Sequence, residues 1–210
     1  MTYLEILSSD FFWDTYSQIE YMKNDFPVNH GFVHVYSVIK WCKKLSEIFQ
    51  LSEKEKELLL ISATLHDIGY THGRDDHATY GAIDAREYLD GKLAKEDIDR
   101  VCSAIANHSG KKIEDYIDNV SMCLILSDKF NFEKTRYRLD PNYPSTKKMS
   151  TIENIELIKN DEDYDLVITT TTHDLKDTMS ENYYLNKLQK KLDILYDAKN
   201  IKINIKIIEV

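Results

Sequence analysis

The sequence is poor in the residues that interrupt or cross-link a chain. Its 210 residues include only six glycines, three prolines and three cysteines. Few glycines and prolines disfavour a β protein with many turns and favour long helices. The cysteines, Cys42, Cys102 and Cys123, are odd in number, lack C-x-x-C spacing and lie within apolar helical patterns. This disfavours a disulfide framework and a cysteine-ligated zinc site, and it predicts a reducing, cytoplasmic location.

Long apolar runs and basic blocks are also missing. No stretch approaches the roughly 20 apolar residues that cross a bilayer, and the first residues lack the basic region of a signal peptide. The 27 basic residues are outnumbered by 36 acidic ones, which gives a net charge of -9. This balance disfavours binding to duplex nucleic acid or to an anionic membrane. A small charged substrate stays compatible with it, because a local metal ion or lysine outweighs the global charge.

Apolar residues at helical spacing dominate the first two thirds of the chain. They predict helices over about 10–23, 28–50, 53–68, 78–89, 95–108 and 113–132. Later segments differ in character: 139–148 holds two prolines and predicts a loop, 165–172 predicts a strand, and 201–210 alternates like a strand. A leucine-rich amphipathic helix lies between those two strands. The predicted fold is mainly α, with a helical domain over 1–140 and a small α+β appendage over 141–210.

Polar residues interrupt several otherwise apolar helical faces. They are His34, His66 with Asp67, His77, His108 and Asp128. One histidine on an apolar face is more often a hydrogen-bonded core residue than a ligand, but an isolated buried carboxylate is costly. A single metal centre would account for all of these interruptions together. Neutral imidazole and carboxylate suit divalent iron, manganese and zinc.

The order of three motifs along the chain resembles that of a known family. The segment ATLHDIGY contains His66 and Asp67, with His34 upstream and Asp128 downstream in LILSDKF. This pattern resembles the H…HD…D signature of the HD superfamily of metal-dependent phosphohydrolases. The resemblance implies an HD-type helical bundle in which these four residues bind one metal ion.

Two further motifs resemble one branch of that superfamily. HATYGA, which begins at His77, and ANHSG, which contains His108, are similar to stretches of the branch that hydrolyses diadenosine tetraphosphate. That likeness implies that His77 and His108 complete a second metal site. The resemblance covers about residues 30 to 136. The absence of G-Y-P after His108 disfavours the cyclic-dinucleotide branch, the absence of an E-D pair disfavours the alarmone hydrolases, and KFNFEKTRYR departs from the tetraphosphatase branch.

The predicted chemistry is phosphohydrolysis of a small phosphoester or nucleotide at a binuclear site. Two divalent ions (iron, manganese, magnesium or zinc) would share the catalytic Asp67, and a hydroxide that they activate would attack phosphorus. Substrate phosphate needs cations, for which the sequence offers Lys111, Lys112, Lys129 and Arg136, with Lys112 and Arg136 ranked first and counted as catalytic. Three histidines are set aside. His30 lies one turn before His34, and a position in solvent near the helix start is favoured over a supporting role beside the ligands. His72 is interpreted as a surface loop residue, with a gating role as the alternative, and His173 follows a strand and lacks a helical context.

Other functions remain open at the level of sequence. The same ligand set, with a lysine such as Lys112 near the fourth histidine, occurs in HD-fold di-iron oxygenases. A non-catalytic nucleotide-binding module and a metal-free helical scaffold are further alternatives. The regular strand 201–210 must pair, either with 165–172 or with a second subunit in a homodimer.

Overall fold

The computed structural model describes residues 1–22, 28–109, 118–137, 144–172 and 183–210. Helices dominate, and three strands near the C-terminus form a small sheet, which confirms the predicted mainly α fold with an α+β appendage. Within these ranges no helix combines the length and apolar character needed to span a bilayer. The chain divides into two compact units, Met1–Asn131 and Phe132–Val210. The boundary near residue 140 stays a prediction.

The described part of the first unit consists mainly of helices. Its helices are α1 (Tyr3–Leu7), α2 (Asp10–Tyr21), α3 (Phe32–Ile48), α4 (Glu53–Leu65), α5 (His77–Leu89), α6 (Lys95–Asn107) and α7 (Asn119–Phe130). Side chains of Ser9, Ser52 and Asp118 accept hydrogen bonds from the first amides of α2, α4 and α7. Such caps satisfy amide groups that have no partner inside a helix. The short α1, capped by Thr2, was not predicted.

Two predicted helices extend beyond their true ends. Helix α3 begins at Phe32 rather than at residue 28, so His30 precedes the helix. Helix α4 ends at Leu65 rather than at Ile68, and a 3₁₀ turn over Ile68–His72 follows it. The last predicted helix is observed from Asn119 onward, and residues 113–117 lie outside the described ranges.

Gly69 allows two backbone segments to approach each other closely. It lies inside the 3₁₀ turn, where an added Cβ would be 2.0 Å from the carbonyl oxygen of His77 and 2.3 Å from the amide nitrogen of Gly81. Only a residue without a side chain permits this approach of two backbones. Gly69 therefore brings the start of α5, and His77 with it, next to the segment that follows α4.

Helices α4 and α7 form the centre of the first unit. All residues from Leu58 to Leu65 and from Val120 to Asp128 are buried, and α3 packs against both helices. The hydroxyls of Ser62 and Thr64 donate to carbonyl oxygens one turn earlier in α4, which satisfies them inside the core. His66, Asp67 and Asp128 thus lie at the ends of the most buried helices.

The second unit contains helices and the sheet. A 3₁₀ turn (Lys134–Arg136) precedes α8 (Pro144–Met149), and then follow β1 (Ile152–Asn160), β2 (Asp163–Thr170), α9 (Tyr183–Lys199) and β3 (Ile203–Glu209). The predicted loop at 139–148 is wrong from Pro144 onward, because proline suits the first turn of a helix. Strand β1 was not predicted.

The sheet has the order β1-β2-β3, in which β1 is antiparallel and β3 parallel to β2. Leu166 of β2 pairs with Leu157 of β1 and Ile205 of β3. Strand β3 therefore pairs with β2 within the chain, which is the first of the two pairings expected from the sequence. A homodimer stays a prediction.

Candidate metal centre

The six predicted ligands come together in the first unit. Helix α3 supplies His34, the end of α4 supplies His66 and Asp67, α5 begins with His77, His108 follows α6, and α7 supplies Asp128. All are buried except His77, whose side chain is 18% exposed. Each lies near a helix end or on an inward face, and this placement makes their side chains converge. Their assignment as ligands stays a prediction.

One part of the cluster surrounds Nε2 of His34. This atom lies 3.0 Å from Nε2 of His66, 3.2 Å from Oδ2 of Asp67 and 3.3 Å from Oδ1 of Asp128. Nε2 of His66 is also 3.2 Å from Oδ2 of Asp67. We call His34, His66 and Asp128 the inner group.

The other oxygen of Asp67 faces a second pair of histidines. Oδ1 lies 3.4 Å from Nε2 of His108 and 3.9 Å from Nε2 of His77, and these two nitrogens are 3.1 Å apart. We call His77 and His108 the outer group. Asp67 therefore stands between the groups, with Oδ2 toward the inner group and Oδ1 toward the outer group.

Backbone acceptors determine which ring nitrogen is protonated in three of the histidines. Nδ1 lies 2.7 to 2.8 Å from a carbonyl oxygen three residues earlier in His66, His77 and His108. A carbonyl oxygen only accepts, so Nδ1 carries the proton, and the neutral form of each ring presents a lone pair at Nε2. This is how metal-ligating histidines are commonly oriented.

His34 is oriented by a side chain. Its Nδ1 lies 2.7 Å from Oδ1 of Asn131, while the amide nitrogen of Asn131 donates to the Ser37 hydroxyl at 2.7 Å. With the amide oxygen of Asn131 toward His34, Nδ1 of His34 carries the proton, and the neutral ring presents a lone pair at Nε2.

This arrangement fits divalent cations. With neutral rings, lone pairs face each other between His34 and His66 and between His77 and His108, which is repulsive without a cation. Donor atoms about 2.1 Å from one ion occupy neighbouring coordination positions roughly 3.0–3.4 Å apart. The distances from Nε2 of His34 to His66 and Asp128 fall in this range, and so do those from Oδ2 of Asp67 to His34 and His66. The separation within the outer group falls in it as well. Three-residue sets suited to an ion occur in both halves: His34, His66 and Asp128, and Asp67, His77 and His108. A third set, His30, His34 and Asp67, shares His34 and Asp67 with these two.

Charges within the cluster keep the carboxylates ionised. Burial alone would raise the pKa of Asp67, but the surrounding His66, His30 and His108 hold it well below its usual value. The pKa of Asp128 is lowered in the same way, with burial opposed chiefly by Lys129. Burial lowers the pKa of His77, which Asp67 only partly offsets. The cluster thus offers anionic carboxylates and, at His77, a neutral imidazole.

The interpretation of His30 as a solvent-exposed residue is wrong. Its side chain is only 16% exposed, and Nδ1 lies 2.7 Å from Oδ2 of Asp67. The spacing of four residues between His30 and His34 offers the alternative position, beside the predicted ligands. Asn131 was also missed, although it follows Asp128 by three residues.

The predicted cations fall in different places. Lys111 and Lys112 lie outside the described residues. Lys129 donates a hydrogen bond to Oδ2 of Asp128. Arg136 belongs to the second unit, where burial lowers the pKa of its guanidinium to about 10. Their roles toward substrate stay predictions.

The two remaining histidines are His72 and His173. His72 is 45% exposed and lies 2.9 Å from Asp84, in keeping with its interpretation as a surface residue. His173 lies outside the described residues.

A cavity of about 960 Å³ opens beside the outer group. His77 forms part of its wall, and the residues lining it also include Tyr70, Arg74, Asp76, Thr79 and Asn107. The lining includes Arg74, which was not among the predicted cations, together with the carboxylates of Asp75 and Asp76. The lining is mainly polar, which suits a charged or hydroxylated ligand.

Comparison with known proteins identifies the fold family. The family model for the HD domain matches residues 31–133, a range that includes all six predicted ligands. No curated protein matches the sequence. The likeness to the tetraphosphatase branch therefore stays a prediction, whereas the helical fold, the motif order and the family match agree. The chain contains an HD domain over residues 31–133, and members of the HD superfamily are in general metal-dependent phosphohydrolases.

Proposed function

We propose that this protein is a metal-dependent phosphohydrolase that cleaves a small phosphoester or nucleotide at a site with two divalent ions. The observation that carries the proposal is the position of Asp67. Its Oδ2 faces the inner group and its Oδ1 faces the outer group. A carboxylate with one oxygen toward each of two ligand groups is suited to bridging two ions.

The chain's residues would divide the work between binding and bridging. His34, His66 and Asp128 would hold one ion, His77 and His108 the other, and Asp67 both. Two bound ions supply a water of lowered pKa and neutralise charge on the phosphoryl oxygens. The hydrogen bonds at each histidine Nδ1 keep the ligating nitrogens aimed at these positions.

The cysteines are poor rivals as the nucleophile. Cys42, Cys102 and Cys123 are all buried. Burial raises the pKa of Cys42 to about 12 and that of Cys123 well above its usual value. A thiol acts as a nucleophile through its thiolate, so neither of these two groups is activated at neutral pH. This favours attack by water.

The cavity beside the outer group is the proposed entry for substrate. Arg74 lies on its wall, and a guanidinium makes bidentate contacts with phosphate. Lys111, Lys112, Lys129 and Arg136 remain proposed contacts as well. The polar lining favours a nucleotide or sugar phosphate over an apolar ester.

The test is a hydrolysis panel on the full chain loaded with manganese or with iron. The panel holds an aryl phosphate, nucleoside mono-, di- and triphosphates and a dinucleoside polyphosphate, and products are separated to identify the bond cleaved. We expect metal-dependent release of phosphate or of a nucleotide, lost in Asp67→Asn and kept in the surface variant Asp84→Asn. Oxygen uptake without hydrolysis would instead indicate an oxygenase, and nucleotide binding without turnover would indicate a binding module.

A further inference from the structure

We propose that His30 and Tyr70 form a hydrogen-bonded pair that positions the Asp67 carboxylate, with His30 as a donor to Asp67 and not as a metal ligand. This inference rests on the proposed function, because it concerns the residue that would bridge the two ions. It assigns a role to two residues outside the predicted ligand set.

The three side chains form a continuous chain of contacts. Oη of Tyr70 lies 2.9 Å from Nε2 of His30, and Nδ1 of His30 lies 2.7 Å from Oδ2 of Asp67. The rings of His30 and Tyr70 are stacked, with centroids 4.0 Å apart and planes at 26°. Stacking limits rotation of the imidazole, so its Nδ1 stays directed at Asp67.

The chemistry of the groups gives the direction of these hydrogen bonds. An ionised carboxylate only accepts, so Nδ1 of His30 must carry the proton in its contact with Asp67. The Tyr70 phenol can then donate to Nε2 of His30. Burial keeps Tyr70 protonated by raising the pKa of its phenol, which agrees with this donor role. A protonated Nδ1 has no lone pair to offer an ion.

The distances separate His30 from the six predicted ligands. The His30–Asp67 contact of 2.7 Å has the length of a charge-assisted hydrogen bond. The contacts from Asp67 to the histidines of the two groups range from 3.2 to 3.9 Å, which is longer than such a hydrogen bond. His30 therefore differs from the ligands in its distance to Asp67 and in having a phenol at its other nitrogen.

The consequence is control over the orientation of Asp67. A carboxylate that bridges two ions must not turn so that both oxygens face one of them. A donor fixed on Oδ2 holds that oxygen on the inner side and leaves Oδ1 toward His77 and His108. Loss of the donor should therefore weaken the outer ion more than the inner one.

The experiment compares His30→Ala, His30→Asn and Tyr70→Phe with the surface variant His72→Ala in the full chain. Asparagine keeps an N–H close to the position of Nδ1, whereas alanine removes the donor. Binding of manganese is titrated by electron paramagnetic resonance, and circular dichroism verifies folding. We expect the affinity for the outer ion to fall about 10- to 100-fold in His30→Ala, with a smaller change at the inner ion. We expect His30→Asn to restore most of this loss, Tyr70→Phe to cause a smaller loss, and His72→Ala to cause none.

A second readout needs no metal. In the metal-free protein, ¹⁵N chemical shifts of the His30 ring should identify a protonated Nδ1, with Nε2 changing in Tyr70→Phe. Loss of an ion in His30→Asn equal to that in His30→Ala would show that His30 is a ligand, and unchanged binding in His30→Ala would show that it positions nothing. Either result overturns the inference. If His30→Ala does not fold, ion binding in His30→Asn and the ¹⁵N shifts of the His30 ring decide whether His30 donates to Asp67 or binds an ion.

These readouts separate the inference from the proposed function. Ion affinity and ring protonation are measured without substrate, so they can agree with the inference even if no phosphate compound is cleaved. Conversely, active protein whose ion binding is unchanged by His30→Ala would sustain the hydrolase and remove the role of His30.

Discussion

The two compact units bury charged side chains in different ways. In Met1–Asn131, Asp67 and Asp128 converge with the histidines on one small volume. In Phe132–Val210 the buried Asp165 lies 2.6 Å from Lys206, an ordinary ion pair. Within the part of this second unit that the structure describes, no three side chains are placed to share an ion. A candidate metal site is therefore recognised by several lone pairs that converge on one small volume. A single buried charge with one partner, such as Asp165 with Lys206, is explained as an ion pair.

The largest expected effect is that of Asp67→Asn. The amide keeps the size of the side chain but removes the anionic charge that both groups face. We expect loss of both ions and a fall in hydrolysis of more than about 100-fold, beyond the 10- to 100-fold typical of residues that only support ligands. Metal content by mass spectrometry and the hydrolysis panel measure this. The matched variant Asp165→Asn in the second unit should keep full metal content, and a loss there would break the comparison.

Removal of metal should affect the units unequally. An ion bound at about 1,000 times its Kd stabilises the folded state by about 4 kcal/mol, and the facing histidine nitrogens lose their cation when it leaves. After chelation, hydrogen exchange should accelerate in α4 and α7 and change little in β1 and β2. Equal acceleration in both units, or none in either, would contradict a centre confined to the first unit.

A smaller effect is expected from Asn131→Leu. This variant removes the acceptor that keeps the proton on Nδ1 of His34. The inner ion should bind about 10- to 100-fold more weakly, with little change in fold, as measured by titration with manganese. Asn160→Leu is the control in the second unit, where Asn160 donates to Asp165. Equal loss in both variants would mean that the effect is not specific to His34.

The smallest effect concerns pH and the second unit. The hydrogen bond from Lys206 lowers the pKa of Asp165. Its contribution to stability is therefore present above the ordinary carboxyl pKa of about 4 and is lost as pH falls through the lower folded value. Urea unfolding of the full chain from about pH 3 to pH 7, monitored by signals of the sheet, should have a weaker acid dependence in Asp165→Asn. If the pH dependence of unfolding is the same in Asp165→Asn as in wild type, groups other than Asp165 cause the acid sensitivity.

Periodicity explains what could be predicted from the sequence. Apolar residues at helical spacing define the faces that His34, His108 and Asp128 interrupt, so their inward direction could be inferred. The order of the motifs around His66 and Asp67 then indicated the HD superfamily, which the family match confirms. Fold class and family were accessible because both depend on local, repeated patterns.

The residues that were missed or misplaced lie outside the helices. His30 precedes α3, Asn131 follows α7, and Arg74 lies between the 3₁₀ turn and α5. Their positions depend on close approaches such as that of Gly69 to α5, which only the folded chain defines. Strand β1 contains charged residues, and its pairing with β2 depends on long-range contacts.

The most direct test of the central claim is the number of metal ions per chain in anaerobically purified protein, with wild type beside His77→Ala. His77 belongs only to the outer group, so the account predicts about two ions in wild type and about one in the variant. One ion in both proteins, or none in either, would contradict the binuclear site.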